Sequence, residues 1–168
     1  MNKEQKLIYN ELMSKYNFDV FQKDEIELGI KSGVDITIYA TPEFDWLQMA
    51  QIRYGLEKGL DVSVYSKIKF NSWQMEQIRK GLENNVDVSI YTKPEYNWKQ
   101  MKKIREGLEG SINVSWYSNP EFTWEQMEQI RKGLEDNLDV TIYAKVEFND
   151  WQMAEIRYGL EDNLDVSI

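Results

Sequence analysis

A 26-residue repeat runs along most of this 168-residue chain, without insertion or deletion. One glycine per repeat marks the step, at Gly55, Gly81, Gly107, Gly133 and Gly159. A Met and a Tyr recur with the same step. A repeat this short cannot bury its own apolar face, so neighbouring repeats must stack and share one continuous core. The sequence therefore predicts an elongated solenoid and not a single globular domain.

The first half of each repeat predicts an α-helix. In one repeat, Asp45 and Gln48 form a capping-box pattern, in which the first side chain caps free amides and the second reaches back. Met49 and the apolar residues after it follow helical spacing. Gly59 ends the pattern, and most other repeats carry Gly or Asn there, which tolerate a left-handed backbone best. We expect a helix over residues 46–58.

The second half of each repeat fits two structures. In the segment DVSVY at residues 61–65, polar residues alternate with β-branched ones, as in a short strand. The spacing from Val62 to Tyr65 is helical instead, and Asp61 stands where an N-cap belongs. We favour a short helix or turn, which gives an all-α, elongated solenoid of long helices and short helices or turns. The alternative is an α/β solenoid similar to leucine-rich repeats, with one short parallel strand per repeat.

Gly55 lies inside the predicted helix, where glycine costs about 1 kcal/mol relative to alanine. Glycine occupies this position in six repeats, beginning with Gly29. A helix interior keeps such a residue when something leaves no room for a side chain. We expect the backbone of the neighbouring repeat to lie against this glycine.

The repeat also sets the domain boundaries. Residues 1–17 predict an N-terminal capping helix, helical over 3–15, and residues 18–168 predict the tandem-repeat solenoid. Its repeats start near residues 18, 44, 70, 96, 122 and 148. The first repeat is degenerate, because Lys23 replaces the Met and Glu27 replaces the Arg of the others. Terminal repeats commonly diverge, since one of their faces meets water.

Cys and His are both absent, which removes disulfides, the usual zinc ligands, the usual general base and Cys nucleophiles. The sequence also has no Gly-rich phosphate loop and no nucleophile elbow. Five Asp residues stand two positions before Ser or Thr, at Asp35, Asp61, Asp87, Asp139 and Asp165. Calcium could use such oxygens, but turn capping explains them better. We predict that the protein is not an enzyme and holds no cofactor or metal.

The formal net charge of −9 opposes attraction to nucleic acid or to an anionic membrane. The acidic residues are spread over every repeat and form no tail. No apolar run approaches the roughly 20 residues that span a bilayer, and the N-terminus lacks the apolar region of a secretory signal. We predict a cytoplasmic protein that binds neither nucleic acid nor membranes directly.

An Arg recurs in the predicted helices, four residues before a Glu. The arginines are Arg53, Arg79, Arg105, Arg131 and Arg157. We expect ion pairs, within a helix or between repeats, that contribute at most a few tenths of a kcal/mol each where they are exposed. A phosphate-binding arginine row is the alternative, which the paired glutamates disfavour.

Departures from the repeat mark candidate partner-binding residues. The repeat that starts near residue 96 carries extra lysines, and a Trp where others carry Ile or Val. In two other repeats the Trp lies one residue later than usual, and Ile68 or Val146 replaces a Pro. The candidates are Lys99, Lys102, Lys103, Trp116, Trp73 and Trp151, and Trp is favoured at interfaces. Because the last repeat is incomplete, we also predict self-association through the C-terminal end face.

Two consecutive repeats read YTKPEYNWKQMKKIREGLEGSINVSWYSNPEFTWEQMEQIRKGLEDNLDVTIYA. They resemble a tandem repeat of bacterial proteins, mainly from gut Firmicutes and their phages and conjugative elements, with units similar to F-D-W-x-Q-M-x-x-I-R-x-G-L-E-x-G-L-D-V-S-x-Y-A. The resemblance extends from Phe18 onward, and its QM, IR and GLE elements are the most specific part. It implies no activity and no functional residues, but carriage on mobile elements favours a host-defence inhibitor by analogy.

These observations lead to two hypotheses. The first is a non-catalytic protein–protein interaction scaffold that presents its repeats to a protein partner. The second is an acidic, phage- or plasmid-encoded inhibitor that imitates nucleic acid and occupies the binding site of a host defence or restriction nuclease. An exposed aromatic patch supports the first hypothesis, and a continuous stripe of carboxylates at phosphate-like spacing supports the second.

Overall fold

The computed structural model describes residues 1–164 and 166. The chain forms two compact modules, Met1–Glu83 and Asn84–Ile168. In each module, long α-helices alternate with single 3₁₀ turns, and successive long helices pack side by side. No strand occurs among the described residues. The protein is therefore an all-α repeat protein of the solenoid class, as we predict, and the leucine-rich-repeat-like alternative is wrong.

The element boundaries agree with the predicted ones. The N-terminal module contains α1 (Lys3–Lys15), α2 (Val20–Ser32), η1 (Ile36–Ile38), α3 (Trp46–Glu57), η2 (Val62–Val64) and α4 (Ser72–Glu83). The described part of the C-terminal module contains η3 (Val88–Ile90), α5 (Trp98–Glu109), η4 (Val114–Trp116), α6 (Trp124–Glu135), η5 (Val140–Ile142) and α7 (Asp150–Glu161). The helix predicted over residues 46–58 thus ends one residue earlier, and the helix predicted over 3–15 is confirmed as α1.

Within each module, neighbouring repeat helices run parallel to one another, whereas α1 runs antiparallel to α2. Lys58 and Glu83 form an ion pair of 2.8 Å between the C-terminal ends of α3 and α4. By contrast, Gln5 near the start of α1 donates from Nε2 to the carbonyl of Ile30 near the end of α2, at 2.8 Å. The short link between α1 and α2 leaves room only for a helical hairpin. α1 therefore packs on the first repeat without copying its arrangement.

The Gln of each capping box joins one repeat to the next. Gln48 Oε1 accepts the N–H of Asp45 at 2.9 Å, and Asp45 Oδ1 accepts the N–H of Gln48 at 2.8 Å. The remaining Nε2 group of Gln48 donates to the carbonyl of Phe70, in the next repeat, at 2.7 Å. The same bond recurs at Gln22, Gln100 and Gln126. A Glu at this position could complete the cap but has no donor for the neighbouring carbonyl, which explains why every repeat carries Gln.

The second half of each repeat is a single 3₁₀ turn with an N-terminal cap. Asp61 Oδ1 accepts the N–H of Ser63 at 3.1 Å and its hydroxyl at 2.6 Å. The same cap occurs at Asp35, Asp87, Asn113 and Asp139. The helical spacing of this segment is therefore confirmed, and so is the capping role of the Asp residues. Asp165 lies outside the described residues.

The repeat helices end at residues with a left-handed backbone, as we predict. Gly33 and Gly59 have φ angles of 74° and 69°. The equivalent residues Asn85, Ser111, Asn137 and Asn163 have φ angles between 55° and 58°. After this residue the chain turns back, and the N–H of Leu60 bonds the carbonyl of Gly55 at 2.9 Å. This reversal directs the 3₁₀ turn against the helix that precedes it.

The helical glycine makes room for the buried Tyr of its own repeat. A Cβ atom at Gly55 would lie 2.0 Å from Tyr65 Oη and 2.8 Å from Val62 Cγ1. Tyr65 Oη donates to the carbonyl of Gln51, one helical turn before the glycine, at 3.0 Å. Equivalent contacts occur at Gly29, Gly107 and Gly133. Our prediction of a close approach is right, but the neighbouring backbone is the wrong partner, because the 3₁₀ turn folds the Tyr back onto its own helix.

The repeats of α3, α4, α5 and α6 contribute the same types of side chain to the core. In the repeat of α3, these are Met49, Ile52, Val62 and Tyr65, all buried. Burial raises the pKa of the Tyr65 hydroxyl, since a phenolate would lose its hydration. For Tyr143 in the same column, burial raises the pKa to about 12. These hydroxyls therefore remain protonated donors at neutral pH.

Candidate interaction surfaces

The repeated arginines connect neighbouring helices. Arg53 is buried, and its Nε donates to Glu25 of α2 at 2.8 Å while its Nη1 donates to Glu57 of its own helix at 2.9 Å. Burial acts to lower the pKa of Arg53, but the hydrogen bonds to the two carboxylates outweigh it and raise the pKa. The predicted ion pairs are confirmed. The pairs of Arg53 are not exposed, because parallel packing places its Nε inside the interface between two helices, so the small contribution expected of exposed pairs does not apply there.

Two other helix–helix interfaces of this network use Gln in place of Glu25. Arg79 Nε donates to Gln51 at 3.0 Å, and Arg157 Nε donates to Gln129 at 3.2 Å. In each case the acceptor lies in the preceding repeat helix. An amide oxygen and a carboxylate therefore serve the same purpose at this position. The guanidinium groups are engaged within the helix array, which disfavours the phosphate-binding alternative.

The interface between α5 and α6 departs from this pattern. Its acceptor position holds Lys103, which has no acceptor atom. Arg131 pairs instead with Glu128 of its own helix at 3.0 Å, and Glu128 also accepts Lys103 at 2.8 Å. Burial acts to raise the pKa of Glu128, but hydrogen bonds from Lys103 and Arg131 outweigh it and hold the pKa below its ordinary value. Lys103, a predicted partner-binding residue, is thus engaged in a largely buried charge cluster.

Lys99, Lys102 and Trp116 lie on the surface of the C-terminal module. Lys99 Nζ lies 4.7 Å from the ring centroid of Trp124 in α6. Lys102 Nζ lies 3.7 Å from a carboxylate oxygen of Glu106. Trp116 is exposed on η4. Among the described residues, no hydrogen bond, ion pair or ring contact joins Trp116 to the lysines, so these candidates do not form one cluster. Their role in partner binding stays a prediction.

Trp73 and Trp151, the two shifted tryptophans, are exposed and belong to different modules. Their exposed fractions are 56% and 76%. Ile68 and Val146, which replace Pro in the same repeats, are exposed as well. The paired change therefore alters the surface of these repeats and fills no buried space.

The N-terminal module presents a row of exposed apolar side chains, which we name the apolar edge. Its members are Val20, Phe21, Trp46, Leu47 and Trp73. They occupy the first or second position of α2, α3 or α4 and are between 38% and 62% exposed. The Gln bridges hold the starts of these helices side by side, and the rings of Phe21 and Trp46 lie 5.5 Å apart. The edge is thus a preformed feature of three adjacent helices.

The equivalent positions of the C-terminal module mix aromatic and charged residues. Trp98 is followed by Lys99, Trp124 is followed by Glu125, and Trp151 follows Asp150. Trp98 and Trp124 are less exposed than the tryptophans of the apolar edge. The C-terminal module therefore has no row made of apolar residues alone at these positions.

The acidic residues are divided unevenly between the modules. The N-terminal module has 13 Asp and Glu against 11 Lys and Arg, a net charge of −2. The C-terminal module has 16 against 9, a net charge of −7. Exposed carboxylates occupy the ends of its helices, at Glu135, Asp136, Glu161 and Asp162. Every repeat carries acidic residues, but most of the negative net charge belongs to the C-terminal module.

A pocket of about 300 Å³ lies between α1 and η1 in the N-terminal module. Ile8, Leu12, Ile36 and Thr41 are among the residues that line it. Thr41 Oγ1 is buried and has no hydrogen-bond partner within the described residues. α1 is joined to α2 without a 3₁₀ turn.

Sequence reasoning found one member of the apolar edge and missed the rest. Trp73 is a candidate because it departs from the repeat, whereas the sequence pattern does not single out Val20, Phe21, Trp46 or Leu47. Acidic and polar side chains are favoured in the first turn of a helix. Apolar residues at the first two positions of successive helices were therefore the available signal.

No protein-family model, curated protein or solved structure matches the chain. Across the described residues, no group of three or more Asp and Glu is placed to hold a metal ion. Within the same residues, none of the helices is both long and apolar enough to cross a membrane. The resemblance to repeat proteins of Firmicutes and their mobile elements stays a prediction.

Proposed function

We propose that the protein is a non-catalytic scaffold that binds a protein partner through the apolar edge. The observation that carries this proposal is the exposure of five apolar side chains on three adjacent helices of one module. Contiguous exposed apolar residues mark interaction surfaces, and Trp and other aromatic residues are enriched at protein interfaces. The partner contributes apolar side chains of its own, because these remove the edge from water.

The stability of the fold does not explain the apolar edge. Its side chains lie largely outside the core, which the Met, Ile, Val and Tyr columns fill. Full burial of an exposed large apolar side chain contributes roughly 1.5–3 kcal/mol, and these side chains, which are 38% to 62% exposed, gain about that fraction of it from a partner. A partner that covers Phe21, Trp46 and Trp73 therefore gains a substantial driving force.

The frame beneath the edge is well ordered for binding. The Gln22 and Gln48 bridges fix the starts of three helices, and the Arg53 and Arg79 bonds fix their middles. A surface that is already arranged before binding avoids part of the ordering cost of association. Side chains on packed helices are also held more precisely than side chains on loops.

The charge of the C-terminal module supports a second candidate function, the imitation of nucleic acid by an inhibitor of a host defence or restriction nuclease. Neighbouring helices pack about 8–10 Å apart, so equivalent carboxylates such as Glu135 and Glu161 are spaced on that scale. Duplex DNA carries one negative charge per about 1.7 Å of its axis. A single row of repeat carboxylates is sparser than that, which places this function second.

Site-specific photo-crosslinking in the source cell tests the proposal. A photoreactive amino acid is placed at Leu47, in the apolar edge, and in a matched chain at Val146, an exposed apolar residue of the C-terminal module. We expect one protein to be crosslinked at Leu47 and not at Val146, and to be lost when Trp46→Glu is added.

Three results would count against the proposal: no protein enriched at Leu47, equal crosslinking at both positions, or capture that survives Trp46→Glu. Crosslinking of a nuclease at Val146, lost at high salt, would support the second candidate instead.

A further inference from the structure

α7 exposes a face that resembles a helix–helix interface. This face forms a depression of about 420 Å³ lined by Phe148, Trp151, Gln152, Glu155 and Ile156. Trp151 is 76% exposed there. Among the described residues, α6 is the long helix that packs on α7. In α6 the corresponding face, which holds Gln126, packs against α7.

The polar groups of this face match those that serve between repeats elsewhere. Gln100 and Gln126 are buried and donate from Nε2 to a carbonyl of the next repeat, both at 2.6 Å. Gln152 makes the same capping box, but its Nε2 has no hydrogen-bond partner within the described residues. Glu155 occupies the position at which Glu25 accepts Arg53. The face thus offers one free donor and one carboxylate beside a large apolar side chain.

α1 exposes a face of complementary chemistry. Lys3, Glu4, Lys6, Leu7 and Asn10 line a shallow depression of about 480 Å³ on this helix. Leu7 is 69% exposed. Its neighbours supply two ammonium groups, together with acceptors at Glu4 and Asn10 that suit a free amide donor.

We propose that two copies of the chain associate through the α7 face of one copy and the α1 face of the other. Leu7 packs against Trp151 and Ile156, and Lys6 pairs with Glu155. This contact is independent of the apolar edge. It pairs the C-terminal end face, for which we predict self-association, with the α1 face.

Charge selects this pairing over the pairing of two α7 faces. The basic residue of α7, Arg157, is buried and bonded to Glu161. Two α7 faces would place Glu155 against a second Glu155 with no free cation, whereas α1 brings Lys3 and Lys6. Opposite charges across an interface favour encounter and suppress like-charged alternatives. The contact is heterologous, so each copy carries both halves of it.

Sedimentation velocity on the full 168-residue chain, from micromolar to millimolar concentration, tests this proposal. One helix pair is a small interface, so we expect association at the upper end of that range and weaker association at high salt. Glu155→Lys and Lys6→Glu should each weaken association at least about tenfold. A mixture of the two variants, or both changes in one chain, should restore it, because opposite charges meet again. Glu121→Lys, the same charge change at an exposed loop residue, is the control and should have no effect.

Several outcomes would overturn the proposal. The chain would be a monomer at every concentration, or Lys6→Glu would leave the association unchanged, or Glu121→Lys would weaken it as much as Glu155→Lys. The test is separate from that of the proposed function, since Trp46→Glu should remove partner binding and leave self-association intact.

Discussion

Phe21 and Leu47 in the N-terminal module and Lys99 and Glu125 in the C-terminal module occupy equivalent positions, the second residue of a repeat helix. The first pair is apolar and the second is charged, although both modules are built from the same repeat. The net charges of the modules, −2 and −7, differ in the same sense. The two modules therefore share an interior and differ at the surface.

The two modules share those interior positions that contacts on several sides fix. Gly55 and Gly107 both face a Tyr hydroxyl, and Gln48 and Gln100 both bridge to the next repeat. The starts of the helices are less constrained, since their side chains point away from the core. Positions that differ between the modules are therefore candidates for a functional surface, whereas positions that are the same in both modules are those that the fold requires.

We expect the largest loss of stability from Glu25→Leu. This change leaves the buried Nε of Arg53 without an acceptor, and breaking a buried pair in this way costs about 3 kcal/mol. Glu25→Gln should cost much less, because Gln51 and Gln129 accept the same bond from Arg79 and Arg157. Urea unfolding followed by circular dichroism measures both. Similar losses for Leu and Gln would show that the bond to Arg53 Nε does not stabilise the array.

Gly55→Ala and Gly107→Ala should have the next largest effect. The added methyl group collides with a Tyr hydroxyl in both modules, at 2.0 Å and 1.8 Å. Overpacking of this kind typically costs about 1–3 kcal/mol. Urea unfolding should show similar losses of the free energy of unfolding for the two variants. A large loss for only one of them would contradict the claim that the two modules share an interior.

The Tyr hydroxyl provides the control for this effect. Adding Tyr65→Phe to Gly55→Ala removes the closest contact, so the double variant should be more stable than Gly55→Ala alone. Gly110→Ala is the matched change without a clash, since its nearest neighbour would lie at 3.4 Å, and it should cost little. If Tyr65→Phe gave no rescue, the hydroxyl would not be the reason for the glycine.

The free energy of unfolding of wild type and that of Glu128→Gln should depend differently on pH in the acidic range. The pKa of Glu128 in the folded protein lies below its ordinary value of 4.5. Its contribution to stability is therefore complete above that value and is lost as the pH falls through the lowered pKa. We expect the free energy of unfolding of wild type to decrease below pH 4.5 more steeply than that of Glu128→Gln. Parallel pH profiles would contradict the role of the Lys103–Glu128–Arg131 cluster.

The smallest effect on stability should come from Trp46→Ser. Trp46 is exposed on the apolar edge, and substitutions at such surface positions usually change stability by less than about 0.5 kcal/mol. The same variant should lose partner binding at least about tenfold if Trp46 is an anchor. A large loss in urea unfolding would assign the edge to the fold and not to an interface.

The local parts of the fold could be predicted from the sequence because neighbouring residues determine them. Asp45 and Gln48 define a helix start, and Gly59 defines its end, without knowledge of the rest of the molecule. The contact between Gly55 and Tyr65 could not be predicted in detail, since it depends on how η2 folds back. The burial of Arg53 depends on parallel helices in register, which bring together residues one repeat apart.

The candidate surfaces were predicted less well. Looking for departures from the repeat identified Trp73 and Trp151, which are exposed, but also Lys103, which the structure places in an ion cluster. It missed Phe21 and its apolar neighbours, because their apolar character is shared between the repeats of the N-terminal module. A comparison of the two modules position by position reveals them.

The most direct test of the comparison is the affinity of the partner crosslinked at Leu47 for two matched variants. Trp46→Glu and Trp124→Glu make the same change at the first residue of α3 and of α6, where a carboxylate suits the helix start. Calorimetric titration should show that Trp46→Glu abolishes binding and that Trp124→Glu leaves the affinity close to that of wild type. Equal losses for both variants, or a loss for Trp124→Glu alone, would contradict the assignment of partner binding to the apolar edge.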